Sequence, residues 1–371
     1  MKKIVHIILS LELGGAERML ERLIKESSKD NSIQQSIITL KNEGSIGRQL
    51  KIDGFDITSM GMTYKISSLF ILFKLIKILR KKKPDAVYTW MYHSDLIGGL
   101  AAYLAEIKNI IWGIRNSKIP QKFLSSTSFV IKICALLSSY IPTRIICCAE
   151  AAKLTHIELG YCPEKIIVIT NGYDLKSFNP SYKLRSSVCK NLGLLENDLV
   201  VGTVGRFDPL KDFNNFIQAA NLVLKDHKNV KFMMIGKGLD RKNDELNSWI
   251  HNTEYPNNFI LLGERNPHDF FTAMYLFCLS SKSEGFPNVV AEAMAMQIPC
   301  VVTDVGDAGR IVEESGIVVE PKNSNSLYEG LVLMLNKNKS DRDILGCKAR
   351  NLIENKYDIK VIKQKFIDLI N

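Results

Sequence analysis

Met274-Tyr275-Leu276-Phe277-Cys278-Leu279-Ser280 and, two residues later, Ser283-Glu284-Gly285-Phe286-Pro287-Asn288-Val289-Val290-Ala291-Glu292-Ala293-Met294-Ala295 decide how this chain folds. The first run is apolar throughout, as a strand buried on both faces must be. The second passes through turn formers into a helical pattern. Strand, short loop and helix in that order are the unit of a parallel sheet covered by helices. Two carboxylates, Glu284 and Glu292, stand in this apolar stretch. A charge in such surroundings calls for a partner or a ligand.

The same alternation runs outward in both directions. Apolar runs at Ile4–Leu9, Ser36–Leu40, Ala86–Trp90, Ile110–Ile114, Arg144–Cys148 and Ile166–Ile169 fill the first half. Leu199–Gly205, Val230–Ile235, Phe259–Leu262, Tyr275–Leu279, Cys300–Thr303 and Ile317–Val319 fill the second. Two such sets predict an α/β chain of two doubly wound parallel-sheet domains facing a cleft. The turn formers from Asn171 to Ser181 place the boundary, giving domains of 1–178 and 179–355. Residues 356–371 read as a tail helix with a stripe of Ile359, Ile362, Phe366 and Ile370.

With 371 residues, 46% hydrophobic, the chain can bury two cores. Its eight cysteines are scattered, with no C-x-x-C pair, so neither a disulfide framework nor a zinc site is expected. Ile4–Ser10 is too short for a signal peptide, and no stretch approaches the length of a membrane span. A cytoplasmic location follows as an expectation. Residues 1–180 carry 25 Lys+Arg against 15 Asp+Glu, while residues 181–371 carry 24 of each. The whole excess of +10 therefore lies in the first half, which suggests an anionic surface as partner. Two apolar stretches there, Ile66–Leu79 leading into Arg80-Lys81-Lys82-Lys83, and Phe123–Ile141, fit either a core-facing helix or shallow docking on a membrane. Nucleic acid is disfavoured, since no aromatic residues interleave the charge.

Ligands of open parallel sheets sit at the carboxyl ends of strands, so residues just after strands are the ones to weigh. Pro287 suits the first turn of a helix, which would leave the Asn288 and Val289 amides facing a phosphate. Glu284 precedes that helix and Glu292 lies more than a turn inside it, so the two would reach different parts of one ligand. Arg206 and Lys211 follow the strand ending at Gly205 and suit a diphosphate, although strand-end cations are more often solvated. Gly14-Gly15, Gly236-Lys237-Gly238 and Gly263-Glu264-Arg265 also follow strands, where backbone can approach a ligand or simply turn. His93 and Arg115-Asn116 follow two further strands of the first half. Asp341-Arg342-Asp343 follows no strand and is not read as a metal site.

These residues, in this order, resemble the family 4 or "group 1" retaining glycosyltransferases with the GT-B fold, over nearly the whole chain. Glu284 and Glu292 match the family's paired glutamates. Gly14 to Arg18, Asn171 to Asp174, Val204-Gly205-Arg206 with Lys211, Ile235 to Gly238 and Phe259 to Gly263 stand in its order. The resemblance implies transfer of a hexose or N-acetylhexosamine from a nucleotide-diphosphate sugar, with UDP expected ahead of GDP. The acceptor would be a hydroxyl of a lipid-linked or other glycan, as in bacterial surface-polysaccharide, O-antigen or lipopolysaccharide synthesis. It implies Glu292 on the ribose and Glu284 on the donor sugar. Arg206, Lys211 and the amides after Phe286 would hold the diphosphate, and backbone near Gly263 the base. The Gly14-Gly15 loop would close over the diphosphate. No metal or cofactor is implied, the cations and the helix end standing in for one. The enzyme would act at the inner face of the cytoplasmic membrane as a peripheral protein. The sequence departs from the family where many members carry His (here Arg115), Gly (here Gln297) and Glu (here Arg310), which leaves His93 or Arg115 for the acceptor side. The rival readings are a GT-B epimerase or hydrolase without an acceptor, and a non-catalytic sugar-nucleotide-binding partner.

Overall fold

The computed structural model describes residues 1–63, 68–116, 126–178, 180, 182–195 and 198–370. Ile66, Lys122 and Phe123 of the two apolar stretches, and Asn179 and Ser181 of the expected boundary, lie outside them. The chain forms two compact units. The first comprises Met1–Tyr173 and Tyr357–Asn371, the second Asp174–Lys356. The division thus falls at Tyr173/Asp174, ahead of the expected residue 178.

In the first unit the order is β1 (Lys2–Ile8), α1 (Gly15–Ser27), β2 (Ile33–Thr39), α2 (Gly44–Ile52), β3 (Asp56–Ser59), α3 (Ser68–Lys82), β4 (Ala86–Trp90), α4 (Tyr92–Leu104), β5 (Asn109–Ile114), α5 (Ser126–Leu137), β6 (Arg144–Cys147), α6 (Glu150–Glu158) and β7 (Ile166–Val168). The second unit continues with α7 (Tyr182–Asn191), β8 (Leu199–Val204), α8 (Phe213–Asp226), β9 (Val230–Ile235), α9 (Asp244–His251), β10 (Phe259–Gly263), α10 (His268–Phe271) and β11 (Leu276–Leu279). Then come α11 (Asn288–Ala295), β12 (Cys300–Thr303), α12 (Ala308–Val312), β13 (Gly316–Val319), α13 (Ser324–Leu335) and α14 (Lys339–Tyr357). The tail is α15 (Ile359–Asp368).

Both sheets are parallel, as continuous apolar strands require. Their orders are β3-β2-β1-β4-β5-β6-β7 and β10-β9-β8-β11-β12-β13. The order reverses between β1 and β4 in one sheet and between β8 and β11 in the other. Those are the switch points at which such sheets take ligands. The strand absent from the sequence reading is β3, Asp56-Ile57-Thr58-Ser59. It is a polar sheet edge, and only its pairing with β2 defines it.

Each core follows the periodicity of its elements. On α8, Phe213, Phe216, Ile217, Ala220 and Leu224 recur at helical spacing and meet Val201, Phe232 and Met234 of the sheet. In the first unit, α15 lies with α1 and completes the core, with Ile359, Ile362, Phe366 and Ile370 all buried. Phe366 stacks on Trp90, centroids 6.1 Å apart, and its carbonyl accepts from the Tyr88 hydroxyl at 2.5 Å. The tail is held at its start by a short ladder: Tyr173 N–H donates to the Tyr357 carbonyl and Ile359 N–H to that of Tyr173. All eight cysteines are free. No helix among the described residues is long and apolar enough to cross a membrane.

Candidate functional site

The β8/β11 switch point of the second unit brings two loops together. The Gly205–Asp212 loop leaves β8, and the Ser280–Pro287 loop leaves β11. They are joined by Lys282 N–H on the Leu210 carbonyl (2.8 Å) and by the Ser280 hydroxyl on the Lys211 carbonyl (2.9 Å). The consequence is an ion pair across 73 residues of sequence: Lys211 Nζ lies 2.6 Å from Glu284 Oε1. The buried Ser281 donates its hydroxyl to the same oxygen at 2.6 Å. Thr303 in turn holds the Ser281 carbonyl at 2.8 Å. The lysine side chain is 26% exposed and the glutamate 13%, so the pair is partly dry yet open to a ligand. Arg206 is 75% exposed, with Asp208 at 3.8 Å, and its guanidinium is mostly solvated.

Pro287 is the N-cap of α11 rather than its first helical residue, a shift of one position. Pro287 itself makes no side-chain cap hydrogen bond, and the positive pole of the helix at this end favours an anion. Phe286 and Pro287 are buried beneath it, while Gly285, Asn288, Val289 and Glu292 are half-buried. Glu292 is the fifth residue of the helix, beyond its first turn. The far end closes as a Schellman motif, with Ile298 N–H on the Ala293 carbonyl and Gln297 N–H on that of Met294. Gln297 takes a φ of 60° there, in the left-handed region that explains why glycine is usual at this position.

Gly236 adopts φ 141°, and a Cβ there would stand 1.9 Å from the Gly205 carbonyl oxygen. The loop after β9 is therefore pressed onto the loop after β8. Gly236 N–H donates to the Gly263 carbonyl, which ties in the end of β10 as well. Gly263 is buried, and Arg265 beyond it is exposed. After β12, Gly306 (φ 57°) would place a Cβ 2.5 Å from the carbonyls of Glu284 and Gly285, and Asp307 N–H donates to the latter. Ser281 and Gly306 are thus positioning residues for Glu284 that sequence reading passed over. The signal in the sequence is that Gly306 follows a strand end, as Gly236 and Gly263 do.

In the first unit the β1/β4 switch point carries Gly14 as N-cap of α1, with Gly15 exposed, and Met91 before α4. Met91 has φ 72° and ψ 156°, backbone that side chains rarely adopt. This turn presents His93 half-buried; burial, and then Lys41, hold its imidazole below the usual range. Arg115 is half-buried, 4.8 Å above the Trp90 ring and 5.6 Å from that of Phe366. It donates to the Ile169 carbonyl (3.2 Å) and to Asn171 Oδ1 (3.4 Å), tying β5 to β7 and the tail helix. Asn116 is exposed. A cavity of about 630 Å³ in this unit, lined by Lys2, Arg80, Asp85 and Lys108 among others, lies at the opposite, amino edge of the strands.

Two residues past His93, Asp95 is fully buried. Its Oδ1 accepts from the Thr89 hydroxyl (2.6 Å) and Gly113 N–H (3.4 Å), and its Oδ2 has no partner among the described residues. Burial pushes this carboxyl up to about 7, against the two donors. The folded state then binds more protons than the unfolded chain between the ordinary value of 3.8 and about 7. Stability contributed here falls as pH rises through that window. Asp95→Asn should therefore gain several degrees in melting temperature relative to wild type between pH 5 and pH 8. An offset that is the same at both pH values would remove this account.

Residues 188–352 match the model of the group 1 glycosyl transferases, and residues 13–177 that of glycosyltransferase family 4. A galactosyltransferase of Escherichia coli, named for transfer from UDP-Gal to GlcNAc-diphosphoundecaprenol, is 29% identical over 99% of this chain and 97% of its own. The capsular polysaccharide glycosyltransferase CapM of Staphylococcus aureus is 26% identical over 82% of this chain and 81% of its own. The fold matches that of Anabaena HepE, solved with UDP, at a TM-score of 0.86, 21% identity and 99% coverage of both chains. With two parallel-sheet units, one glutamate in the β11–α11 loop and one within α11, and both halves matched in order, the chain belongs to the group 1, family 4 glycosyltransferases of GT-B fold.

Proposed function

We propose that the chain transfers a hexose or N-acetylhexosamine from a UDP-sugar to a hydroxyl of a lipid-linked glycan, with retention at the anomeric carbon, in bacterial surface-polysaccharide synthesis. The observation that carries the donor site is the Lys211–Glu284 pair, whose glutamate stands in the loop that leads into α11. Lys211, Arg206 and the α11 amides receive the diphosphate, Glu284 faces the sugar and Glu292 the ribose. Gly236 and Gly263 bring backbone to the base. The UDP moiety is supported by the names of the Escherichia coli relative and of the HepE complex, and the lipid-linked acceptor by the former.

In the step itself the anomeric carbon–oxygen bond to the diphosphate breaks and the acceptor oxygen attacks on the same face. The departing diphosphate oxygen takes the acceptor proton, so no side chain serves as general base. Fixed cations aimed at the charge that develops on the leaving group lower the barrier. No divalent ion has a part. His93 and Arg115 stand on the acceptor side in this reading.

A thermal-shift panel of UDP-, GDP- and dTDP-sugars, with and without EDTA, tests the donor. A ligand at 100 times its Kd stabilises the folded state by about 2.7 kcal/mol. A UDP-sugar should raise the melting temperature by several degrees, equally with EDTA. A larger shift with a GDP- or dTDP-sugar would overturn the UDP assignment. Release of free sugar at the same rate with and without acceptor would indicate a hydrolase instead.

A further inference from the structure

We propose that Arg350 of α14 is a positioning residue for the donor: it fixes the carboxyl end of α11 and, through that helix, Glu292. This role deepens the donor site proposed above and rests on the reading of Glu292 as the residue that meets the ribose.

The last carbonyls of a helix have no partner within it and must find one elsewhere. At the end of α11 the Schellman closure takes those of Ala293 and Met294. The next, that of Ala295, accepts from Arg350 Nη1. The same nitrogen donates to the Phe178 carbonyl, and Nη2 donates to that of Leu175 at 3.3 Å. Nε donates to Glu354 at 2.6 Å, so every nitrogen of the guanidinium is engaged. The arginine side chain is 15% exposed. One planar group thus joins the end of α11 to α14 and to residues 175–178, all within the second unit. Phe178 is itself buried, its ring 4.2 Å from that of His268, so the carbonyl it offers is held in the core. A cation at the negative pole of α11 also suits the helix dipole.

One turn earlier on the same face of α14, Gly346 meets the end of α11 directly. A Cβ there would stand 2.3 Å from the Gln297 carbonyl oxygen, so a side chain at this position would push the two helices apart. Gly346 and Arg350 therefore grip the same helix end, one by close approach and one by hydrogen bonds. Glu292 lies three residues before Ala295, about 4.5 Å along the helix axis. The amino end of α11, at Asn288, is about 10.5 Å from Ala295, so a loosened carboxyl end displaces Glu292 first. Lysine cannot substitute, because a single ammonium lacks the planar fork that meets three carbonyls at once.

Calorimetric binding of UDP, 2′-deoxy-UDP and pyrophosphate to the full chain, at a temperature where each variant is folded, tests this role. Wild type should prefer UDP to 2′-deoxy-UDP by about tenfold, the worth of one hydrogen bond to a carboxylate. Arg350→Lys should reduce that preference to about threefold or less, with the hydroxyl and Glu292 no longer in register. Gly346→Ala, which shifts the same helix end with no change of charge, should do likewise, and it decides the matter should Arg350→Lys fail to fold. Pyrophosphate has no ribose and should bind both variants as it binds wild type. Glu354→Gln leaves the three carbonyl contacts in place and should keep the wild-type preference. Equal binding of UDP and 2′-deoxy-UDP by wild type would remove the ribose role of Glu292, and the role of Arg350 with it. A wild-type preference kept by either α14 variant, an equal loss for pyrophosphate, or an equal loss in Glu354→Gln would remove the role of Arg350 alone.

Discussion

Lys211→Ala is expected to lower glycosyl transfer by roughly 10²–10³-fold, the usual loss when a fixed group that stabilises developing charge is removed. The ammonium sits 2.6 Å from Glu284 and is held there by a loop whose own backbone is bonded to the β11 loop. Its removal takes away the charge proposed to face the diphosphate and leaves Glu284 with the Ser281 hydroxyl. Arg206→Ala is the companion measurement. Its side chain is 75% exposed, with a carboxylate at 3.8 Å, and such surface pairs contribute little to stability. Its melting temperature should therefore match wild type while turnover falls by orders of magnitude. Steady-state rates with a UDP-sugar and a soluble acceptor analogue decide the matter. Turnover within threefold of wild type in both variants would remove the assigned role of these cations.

Gly306→Ala is expected to be as damaging to activity without touching any ligand. A Cβ at that position would stand 2.5 Å from two carbonyl oxygens, those of Glu284 and Gly285, and the backbone φ of 57° is itself unfavourable for alanine. Because the clash is with backbone rather than with a flexible side-chain end, the Glu284-Gly285 segment must move. A displacement of that order at a reacting centre costs on the order of 10²-fold in rate. Destabilisation of a few kcal/mol is expected alongside, from strain. Ser281→Ala separates the two effects, since it loosens the Glu284 carboxylate while leaving the backbone in place. Wild-type kinetics in Gly306→Ala would show that the β12 loop has no hold on Glu284.

Much of this architecture is legible in the residues because its signals are local. Twelve strands announce themselves as short apolar runs, and α15 as a stripe of four apolar residues. The edge strand β3 does not, since a half-solvated edge needs no apolar run and exists only through its pairing with β2. At the donor site the spacing of Glu284 and Glu292 is local, set by one strand end and one helix. The roles of Ser281 and Gly306 are not, because each depends on which loop lies beside which. Arg115 makes the same point. From sequence it is one more cation after a strand; in the fold its guanidinium lies over Trp90 and Phe366, residues 25 and 251 positions away.

By itself, then, the sequence determined that this chain is two parallel α/β units with a paired-glutamate segment at one strand end, because strand and helix periodicities are written within a few residues. Tertiary structure alone decided that β8 and β11 are neighbours, and so that Lys211 meets Glu284. It also decided that the phenylalanines of α3 lie outside the core rather than in it. The physical reason is common to both: strand order and the choice of buried face are settled by packing across the whole sheet, and no local pattern contains them.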